Sequence, residues 1–349
     1  MNSNKKGVSV IICCYNSAQR ISNALVALAK QQYPATLLWE IIIVDNACTD
    51  NTGQIACEIW ETFNTDIALR VVYEPLPGLG HARIKGVNEA MHPIVLFCDD
   101  DNWLAENYVQ GVCEILEGDC NIAACGGMGI PVFETPEPYW FYQYAEAFAL
   151  GSQEINSENG QLLNLYGAGM AVQKHILKKL YQSSFDPLMK GRSGKQLSSS
   201  EDTELTYAFV LMGYKLFYAP DLKFFHYMPK ERLTFEYLKK LFISFGNDGP
   251  FRNLYYAFIS KRFLHKHMKN WGIHLLISTV RLVKYFILPP KKYGRAIYFN
   301  WNVAYIRQLV AIRKNYPKLK KHINRIREIN SHAGIQNISQ KGTLSFEQN

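Results

Sequence analysis

Short apolar runs alternate with segments of helical periodicity along the first hundred residues. Runs rich in Val and Ile predict four strands, at residues 8–13, 39–45, 69–74 and 94–98. Apolar residues at three- and four-residue spacing, with caps for the second segment at 49–52, predict helices at 17–31, from 52 to about 63, and at 80–91. Near-continuous apolar strands that alternate with helices predict a mostly parallel α/β sheet with helices on both faces, which binds ligands at the carboxyl ends of its strands.

The remainder of the chain is predicted in less detail. Residues 103–194 contain many Gly and Pro and are interpreted as a loop-rich extension of the same domain. A helix is expected over 201–212, followed by short closing strands at 214–218 and 223–226. From residue 233 the pattern is helical and rich in aromatic residues, with a break at Pro289 and Pro290. Residues 331–349 are polar and are predicted to form a disordered tail.

Charge divides the chain more sharply than its total of +8 suggests. Residues 1–229 contain 15 Lys or Arg and 25 Asp or Glu, whereas residues 230–330 contain 22 and 4. We therefore expect an acidic domain at 1–229 and a basic helical extension at 230–330 whose partner is an anionic surface or polymer.

The N-terminus and the cysteines indicate the compartment. The first residues lack a long apolar segment with a cleavage site, so no secretory signal is apparent and we expect the protein in the cytoplasm. All eight Cys lie between Cys13 and Cys125 without paired C-x-x-C spacing, which favours reduced thiols over a disulfide framework or a zinc site.

Three adjacent carboxylates, Asp99, Asp100 and Asp101, follow the apolar strand at 94–98. Their mutual repulsion and desolvation are costly unless a cation or many hydrogen-bond donors are present. A Mg²⁺ or Mn²⁺ ion would offset this cost, because such ions prefer oxygen ligands and also bind substrate phosphates. A solvated turn is the alternative interpretation.

Two further polar sites follow predicted strands. Asp45 ends the second strand, where a carboxylate can accept from a nucleobase or from ribose hydroxyls; its alternative role is capping, which fits Asp50 better. Tyr15 and Asn16 follow the first strand and can stack on or hydrogen-bond a base, or form an ordinary turn.

Arg83 lies in the first turn of a predicted helix that follows Gly78 and Gly80. A cation there opposes the helix dipole, so an anionic ligand explains it better than helix stability does. The glycine spacing matches neither the G-x-G-x-x-G dinucleotide motif nor the P-loop, and both sites are excluded on that ground.

Acidic residues also open the helix predicted at 201–212, after a Gly- and Ser-rich loop. Glu201, Asp202 and Glu204 suit a first turn that Ser200 would cap, yet a carboxylate at this position could also deprotonate a hydroxyl. His226 ends a predicted strand, where a buried structural role is usual for a lone histidine.

Residues 271–288 form an apolar segment interrupted by His274, Arg281 and Lys284. On a helical wheel, His274, Ser278, Arg281 and Tyr285 lie opposite the apolar side chains, which predicts an amphipathic helix in the membrane plane rather than across it. With the basic residues that follow, it favours an anionic membrane surface. The alternative is a helical subdomain packed on the catalytic domain.

Seven motifs in order resemble those of inverting family 2 glycosyltransferases with the GT-A fold. They are VSVIICCYN, IIIVDNACTD, PGLGHARIKGVNEA, VLFCDDDN, YGAGMAV, SSSEDTELTYAFVLMGYKLFYAP and FFHYMPKERLT. The resemblance covers about residues 8–234, and its most specific pair is FCDDDN followed about a hundred residues later by EDTEL. It implies a nucleotide-sugar donor, most often a UDP-sugar, and a divalent cation, Mn²⁺ or Mg²⁺.

The resemblance also assigns roles to individual positions. Donor-binding residues would be Tyr15, Asn16, Asp45, Arg83, Asp99 and Asp100, of which Asp100 is an additional acid in the D-x-D motif. Asp101 would bind the metal and His226 would complete its site. Asp202 would be the catalytic base with Glu201 beside it. Gly167, Gly169 and Trp140 are expected in the sugar or acceptor pocket.

The sequence therefore predicts a transferase that moves a sugar to an acceptor hydroxyl with inversion of configuration. The expected acceptor is a glycan or a lipid-linked glycan, and the expected location is the cytoplasmic face of the membrane. Two alternatives are a catalytically inactive sugar-nucleotide-binding module with a basic tail, and a nucleotidyltransferase. No nucleic-acid-binding motif is present, so nucleic acid is not an expected partner.

Overall fold

A computed structural model describes residues 7–154, 157–158, 160–183, 185–189, 200–260, 262–287 and 294–341. Several sequence predictions therefore lie outside the described residues. They are the loop at 191–199 before the acidic helix, the break at Pro289 and Pro290, the adjoining Lys291 and Lys292, the side chain of Tyr285, and the last part of the tail at 342–349.

An eight-stranded mixed sheet forms the centre of the molecule, with strand order β3-β2-β1-β4-β9-β6-β10-β5. Its strands are β1 (Gly7–Cys14), β2 (Leu38–Asn46), β3 (Leu69–Glu74), β4 (Ile94–Cys98), β5 (Asn102–Leu104), β6 (Ile122–Phe133), β9 (Ala171–Gln173) and β10 (Lys215–Met228). A separate hairpin pairs β7 (Ser157–Glu158) with β8 (Gln161–Leu162).

Helices connect these strands and form the C-terminal part of the chain. The first six are α1 (Ile21–Ala29), α2 (Thr52–Glu61), α3 (Leu79–Glu89), α4 (Tyr108–Gly118), α5 (Lys174–Gln182) and α6 (Glu201–Leu211). The C-terminal helices are α7 (Phe235–Ile259), α8 (Phe263–His267), α9 (Trp271–Ile287), α10 (Arg295–Ala311) and α11 (Tyr316–Lys341).

The parallel part of the sheet confirms the predicted α/β fold. β1 lies between β2 and β4, and all three run in the same direction. Every residue of β4 is buried, and β1 and β2 are buried along nearly their whole length, because helices cover both faces. Their carboxyl ends therefore meet at one edge, where Asp45 is the last residue but one of β2 and Tyr15 and Asp99 follow β1 and β4.

The interpretation of residues 103–194 as loop-rich is wrong in part. This segment contains α4, α5 and the 12-residue strand β6, which carries Gly127, Gly129 and Pro131. A Cβ atom at Gly129 would clash with the carbonyl oxygen of Ala149, so glycine permits a close backbone approach there. The two short closing strands expected after α6 are one irregular strand, β10, whose pairing register with β6 shifts between Tyr218 and Lys223.

The C-terminal helices pack on the catalytic domain. One hydrophobic cluster contains Ile11, Val44, Leu205 and Phe209 together with Leu254, Tyr305, Leu309 and Ile323. The core is therefore continuous between the acidic and the basic segments. The last helix, α11, extends through Lys341 into the segment predicted to be a disordered tail.

The orientation of α9 is unexpected, because its polar side faces the protein. His274 and Ser278 are buried, and the His274 ring hydrogen-bonds with the hydroxyls of Tyr305 and Tyr316. Burial lowers the pKa of His274 to about 4, which keeps the ring neutral. Within the described ranges, every helix is too short or too polar to traverse a lipid bilayer.

Gly86 tests the packing of α3 on the sheet. A Cβ atom at this position would lie 2.5 Å from Cγ2 of Ile11 and 3.2 Å from Cγ2 of Val44. We expect Gly86→Ala to lower the free energy of unfolding by about 1–3 kcal/mol through overpacking, although Ala is the better helix former.

Urea denaturation measures this effect, with Gly118→Ala as the matched control. Gly118 ends α4, and a Cβ atom there would meet nothing within 4 Å. Equal unfolding midpoints for the two variants would show that α3 does not pack as closely as described.

Candidate active site

A cleft of about 980 Å³ opens at the carboxyl ends of β1 and β4. The start of α6 forms one wall and the C-terminal helices form another. Nine of the predicted site residues line it, namely Tyr15, Arg83, Asp99, Asp100, Asp101, Gly167, Glu201, Asp202 and His226. The structure therefore brings residues from distant parts of the sequence to one surface.

Asp101 is buried and its carboxylate interacts with two side chains of the C-terminal half. Its Oδ2 lies 2.9 Å from Nη2 of Arg232, and its Oδ1 lies 3.6 Å from Nε2 of His226. Asn102 also donates to Oδ1 at 2.9 Å. The guanidinium of Arg232 thus provides the positive charge that a buried carboxylate requires.

The tautomer of His226 follows from its contacts. Nδ1 lies 3.0 Å from the carbonyl oxygen of Phe148, which can only accept, so Nδ1 carries the proton. Nε2 then presents a lone pair, which accepts from Nη1 of Arg232 at 3.1 Å. The backbone of Phe148 therefore orients the ring so that Nε2 faces Asp101, as outer hydrogen bonds orient metal-binding histidines.

Asp101 and His226 are chemically suited to a divalent cation. A carboxylate oxygen and an imidazole lone pair converge on one place, where the Arg232 guanidinium now lies. No group of three His, Cys, Asp or Glu side chains that could hold a metal ion occurs among the described residues. A cation here would need further ligands from water or from a substrate, which is usual for Mg²⁺ and its relatives.

Asp100 has its own basic partner. Nη2 of Arg20 lies 2.7 Å from Oδ2 of Asp100, and Nε of Arg20 donates to the same oxygen at 3.2 Å. Burial and the neighbouring Asp101 raise the pKa of Asp100, and Arg20 opposes this rise. The middle acid of the trio is thus held by Arg20, just before α1, while Asp101 is held mainly by Arg232, after β10.

Asp202 is fixed by backbone donors at the start of α6. Its Oδ2 accepts from the Gly167 amide at 2.5 Å, and its Oδ1 accepts from the Thr203 amide at 2.8 Å. Burial raises the pKa of Asp202, and the Arg83 guanidinium and these backbone donors oppose the rise. A half-buried carboxylate held in one orientation, with a pKa above its ordinary range, is suited to proton transfer near neutral pH.

Glu201 lies beside Asp202 and faces Arg83, whose Nη1 is 3.8 Å from its Oε1. Its Oε2 is buried and has no hydrogen-bond partner in the described structure. Burial raises the pKa of Glu201, and Arg83 lowers it. An unpartnered oxygen in the cleft wall is available to a ligand hydroxyl or amide.

Arg83 is buried among the protein's own carboxylates. Burial lowers its pKa, but Glu201, Asp99 and Asp202 raise it more, and the guanidinium lies over the Phe97 ring at 5.1 Å. These carboxylates account for a cation at the start of α3, so an external anion is not needed to explain Arg83.

Glu204, the third acid of this helix, connects α6 to neighbouring segments of the protein. Its carboxylate accepts from the amides of Leu188 and Met189 and from the hydroxyl of Tyr255 on α7. Burial raises its pKa to about 7. The side chain of Ser200 makes no capping hydrogen bond, so the predicted cap is not formed.

Four predicted residues do not line the cleft. The carboxylate of Asp45 accepts from the Cys48 amide, and the side chain of Asn16 accepts from Thr49. Their neighbours Tyr15 and Asn46 reach the cleft instead. The other two, Gly169 and Trp140, pack within the protein.

The reasons for these last two positions differ. Gly169 has φ +68°, and a Cβ atom there would lie 2.5 Å from the Tyr108 hydroxyl, so it serves packing rather than a sugar. Trp140 is buried in a cluster of aromatic residues with Phe141 and Tyr144. The prediction that Trp140 forms part of the acceptor pocket is therefore not supported by its burial.

Four arginines that line the cleft were not predicted as site residues. They are Arg20, Arg232, Arg252 and Arg281. Arg232 lies within the last quoted motif, and Arg20 lies just after the first one. Three adjacent carboxylates are a signal that such basic partners are nearby. Arg252 and Arg281 had no such signal, because they belong to a segment interpreted as contacting a membrane.

The fold is that of GT-A glycosyltransferases. It is defined by the strand order of the sheet and by the carboxylates that line the cleft after β4 and at the start of α6. Residues 9–181 match the model of glycosyl transferase family 2. The chain therefore carries a family 2 glycosyltransferase domain.

Two curated relatives illustrate the sequence likeness. The poly(ribitol-phosphate) beta-N-acetylglucosaminyltransferase TarS of Staphylococcus aureus (strain Mu50) is 31% identical over 111 residues, 31% of this chain and 18% of TarS. The putative teichuronic acid biosynthesis glycosyltransferase TuaG of Bacillus subtilis is 31% identical over 128 residues, 36% of this chain and 48% of TuaG. The chain thus spans less than half of the length of either relative.

A solved structure supports the fold over nearly the whole chain. The mannosyltransferase PcManGT from Pyrobaculum calidifontis, in complex with GDP-Man and Mn²⁺, superposes with a TM-score of 0.51 at 20% identity. The match covers 96% of this chain and 87% of PcManGT. At this identity the likeness concerns the fold alone.

Proposed function

We propose that this protein transfers a sugar from a nucleotide-sugar donor to an acceptor hydroxyl, with inversion at the anomeric carbon and Asp202 as the base. A UDP-sugar is the donor that the family resemblance favours. The observation that carries the proposal is that Asp101 and Asp202 line one cleft, at the strand ends where α/β sheets bind ligands.

The surroundings of Asp202 suit a general base. Two backbone amides hold its oxygens, and burial raises its pKa. As the acceptor oxygen attacks the anomeric carbon from the face opposite the nucleotide, Asp202 takes the hydroxyl proton. The bond to the nucleoside diphosphate breaks in the same step, so one displacement inverts the configuration.

The donor would lie between the first strand end and the acidic trio. Tyr15, whose side chain is 56% exposed, can stack on the base, and Asp99 can accept from ribose hydroxyls. Asp45 and Asn16, which lie beside the cleft, would shape the base-binding loop rather than touch the diphosphate.

Asp101 and His226 would hold the divalent cation, Mn²⁺ or Mg²⁺, together with donor oxygens. When bound, such a cation offsets the negative charge that develops on the leaving diphosphate. The PcManGT structure, which contains GDP-Man and Mn²⁺, supports this part of the proposal by analogy of fold. Arg232 would then leave Asp101 and face the diphosphate.

We also propose that the C-terminal helices bind an anionic membrane surface. The outer side of α9 carries exposed apolar side chains at Ile273, Leu276, Val280, Val283 and Ile287. α10 adds Phe299, Val303 and Val310. Exposed apolar side chains on a strongly basic segment match an acyl surface covered by anionic headgroups. Attachment there suits a glycan or lipid-linked glycan acceptor.

Asp202→Asn tests the base. We expect transfer to fall by at least about 10²-fold because asparagine cannot accept the proton, while UDP affinity measured by calorimetry changes little. In the parent protein kcat/KM should fall as pH falls through a pKa above the ordinary aspartate range, since the ionised form is the active one.

Asp221→Asn is the matched control, because Asp221 is exposed and does not line the cleft. It should leave both transfer and UDP affinity unchanged. If Asp202→Asn weakens UDP binding as much as transfer, Asp202 holds the donor and is not the base.

Arg232→Gln tests the cation site. Removing the guanidinium frees Asp101 and His226, so Mn²⁺ should bind the nucleotide-free protein at least about 10-fold more tightly, measured by electron paramagnetic resonance titration. Arg20→Gln removes the same charge beside Asp100 and controls for general electrostatics. Equal gains in the two variants would argue against Asp101 and His226 as the ligands.

Leu276→Gln combined with Ile287→Gln tests the membrane surface. Both side chains are about two-thirds exposed, at 64% and 67%, so stability should change little. Binding to vesicles of phosphatidylglycerol and phosphatidylcholine should weaken by at least about 10-fold, because apolar area can no longer leave water.

The matched control replaces Leu76 and Met91, which are similarly exposed on the catalytic domain. Leu76→Gln with Met91→Gln should retain vesicle binding in the same flotation assay. Unchanged binding of the α9 variant would contradict the proposed surface.

A further inference from the structure

One end of the cleft is built by the C-terminal helices. Arg252 of α7, Arg281 of α9, and Tyr298 and Trp301 of α10 line this end, in the same cleft as Asp202. None of these residues lies within the segment that matches the family model. The composition of this end therefore reports on something other than the shared sugar-nucleotide chemistry.

The two arginines differ from those at the donor end in their electrostatic partners. Arg20, Arg83 and Arg232 each lie within 4 Å of a carboxylate. Among the described residues, by contrast, no carboxylate oxygen comes that close to the guanidinium of Arg252 or Arg281. Both arginines are half-buried, so solvent screens their charges only in part.

Both guanidiniums line the same end of the cleft, and both act on Tyr305. Burial raises the pKa of the Tyr305 phenol to about 12, and the Asn253 hydrogen bond, Arg281 and Arg252 all oppose that rise. Two cations at one end of a cleft, with no carboxylate close to either among the described residues, are suited to a doubly charged anion. Phosphate and diphosphate groups match paired guanidiniums particularly well.

The aromatic residues beside the arginines suit a sugar. Trp301 packs against Tyr305 with ring centroids 5.1 Å apart, and Phe242 and Phe245 line the same cleft. Aromatic faces bind the apolar faces of sugar rings while leaving their hydroxyls free to hydrogen-bond. A ligand that is phosphorylated at one end and glycosidic at the other would use both features.

The position of Arg281 indicates the source of the phosphate. Arg281 reaches the cleft from α9, whereas Val280 and Val283 on the same helix are exposed on the outer, apolar side. A phosphate at Arg281 would thus lie about one helix diameter, roughly 10 Å, from the proposed membrane surface. A lipid-borne phosphate can reach that place without leaving the bilayer.

We propose that Arg252 and Arg281 form a phosphate-binding subsite for the acceptor, and that the acceptor is a glycan carried on a lipid phosphate or diphosphate. This inference rests on the proposed transferase function, because it assigns the acceptor end of the same cleft. The phosphate binds the two guanidiniums, the sugar lies over the aromatic side chains, and its free hydroxyl points towards Asp202.

The test uses the full chain saturated with UDP, so that the donor site is already occupied. Farnesyl diphosphate is the probe, and binding is followed by calorimetry. We expect Arg252→Gln and Arg281→Gln each to weaken binding by at least about 10-fold. Arg281→Lys, which keeps the charge, should weaken it less, and serves if the neutral variant folds poorly.

Arg307→Gln is the matched control, because Arg307 is exposed on α10 and does not line the cleft. It should bind the probe like the parent protein. Equal probe affinity of the parent and both cleft variants would overturn the proposal.

Two further probes distinguish the source of the phosphate. Inorganic pyrophosphate should show the same dependence on the arginines but bind more weakly than farnesyl diphosphate, and farnesol should show no dependence on them. If pyrophosphate binds as tightly as the farnesyl compound, the lipid source is wrong and a soluble phosphorylated glycan takes its place.

Nucleotide binding distinguishes failure of the acceptor subsite from failure of the proposed transferase function. If UDP binds normally to the parent and to both variants while the probe ignores the arginines, only the acceptor subsite fails. If the parent protein binds neither UDP nor any other nucleoside diphosphate, the proposed transferase function fails as well.

Discussion

Burying several carboxylates at one end of a parallel sheet is the constraint on which the rest of the structure depends. Asp100, Asp101, Glu201 and Asp202 line one cleft, and each is largely removed from water. Isolated buried charges of this kind are too costly to persist. The chain offsets the cost with guanidiniums and backbone amides, and these partners fix the orientations of Asp100, Asp101 and Asp202.

The partners come from parts of the chain that are distant in sequence, so the site joins the whole molecule. Arg20 immediately precedes α1, Arg83 lies on α3, and Arg232 follows β10. Glu204 on α6 accepts from Tyr255 on α7, which ties the helix of the proposed base to the C-terminal segment. Disturbing the C-terminal helices should therefore affect the cleft, although they lie outside the family match.

Much of the fold could be predicted because its central strands are simple to recognise. β3 and β4 coincide with the predicted runs at 69–74 and 94–98. All five residues of β4 are apolar and buried, and β3 has two adjacent valines although it also contains Arg70 and Glu74. β6 was missed because its Gly and Pro residues indicate turns, whereas in the folded protein its glycines allow close backbone contacts.

The site was predicted where chemistry is local and missed where it depends on packing. Strand-end and helix-start acids can be recognised from their neighbours in sequence, as Asp101 and Asp202 were. The amphipathic pattern shows that the two sides of α9 differ. It does not show that His274 hydrogen-bonds with buried tyrosines and that the apolar side is exposed.

The identity of the nucleotide product tests the central claim most directly. The purified chain, supplied with Mn²⁺ and a panel of nucleotide sugars, should release a nucleoside diphosphate from one of them. Release of pyrophosphate would instead indicate a nucleotidyltransferase. Absence of any turnover across the panel, with the cleft variants no different from the parent, would contradict the account.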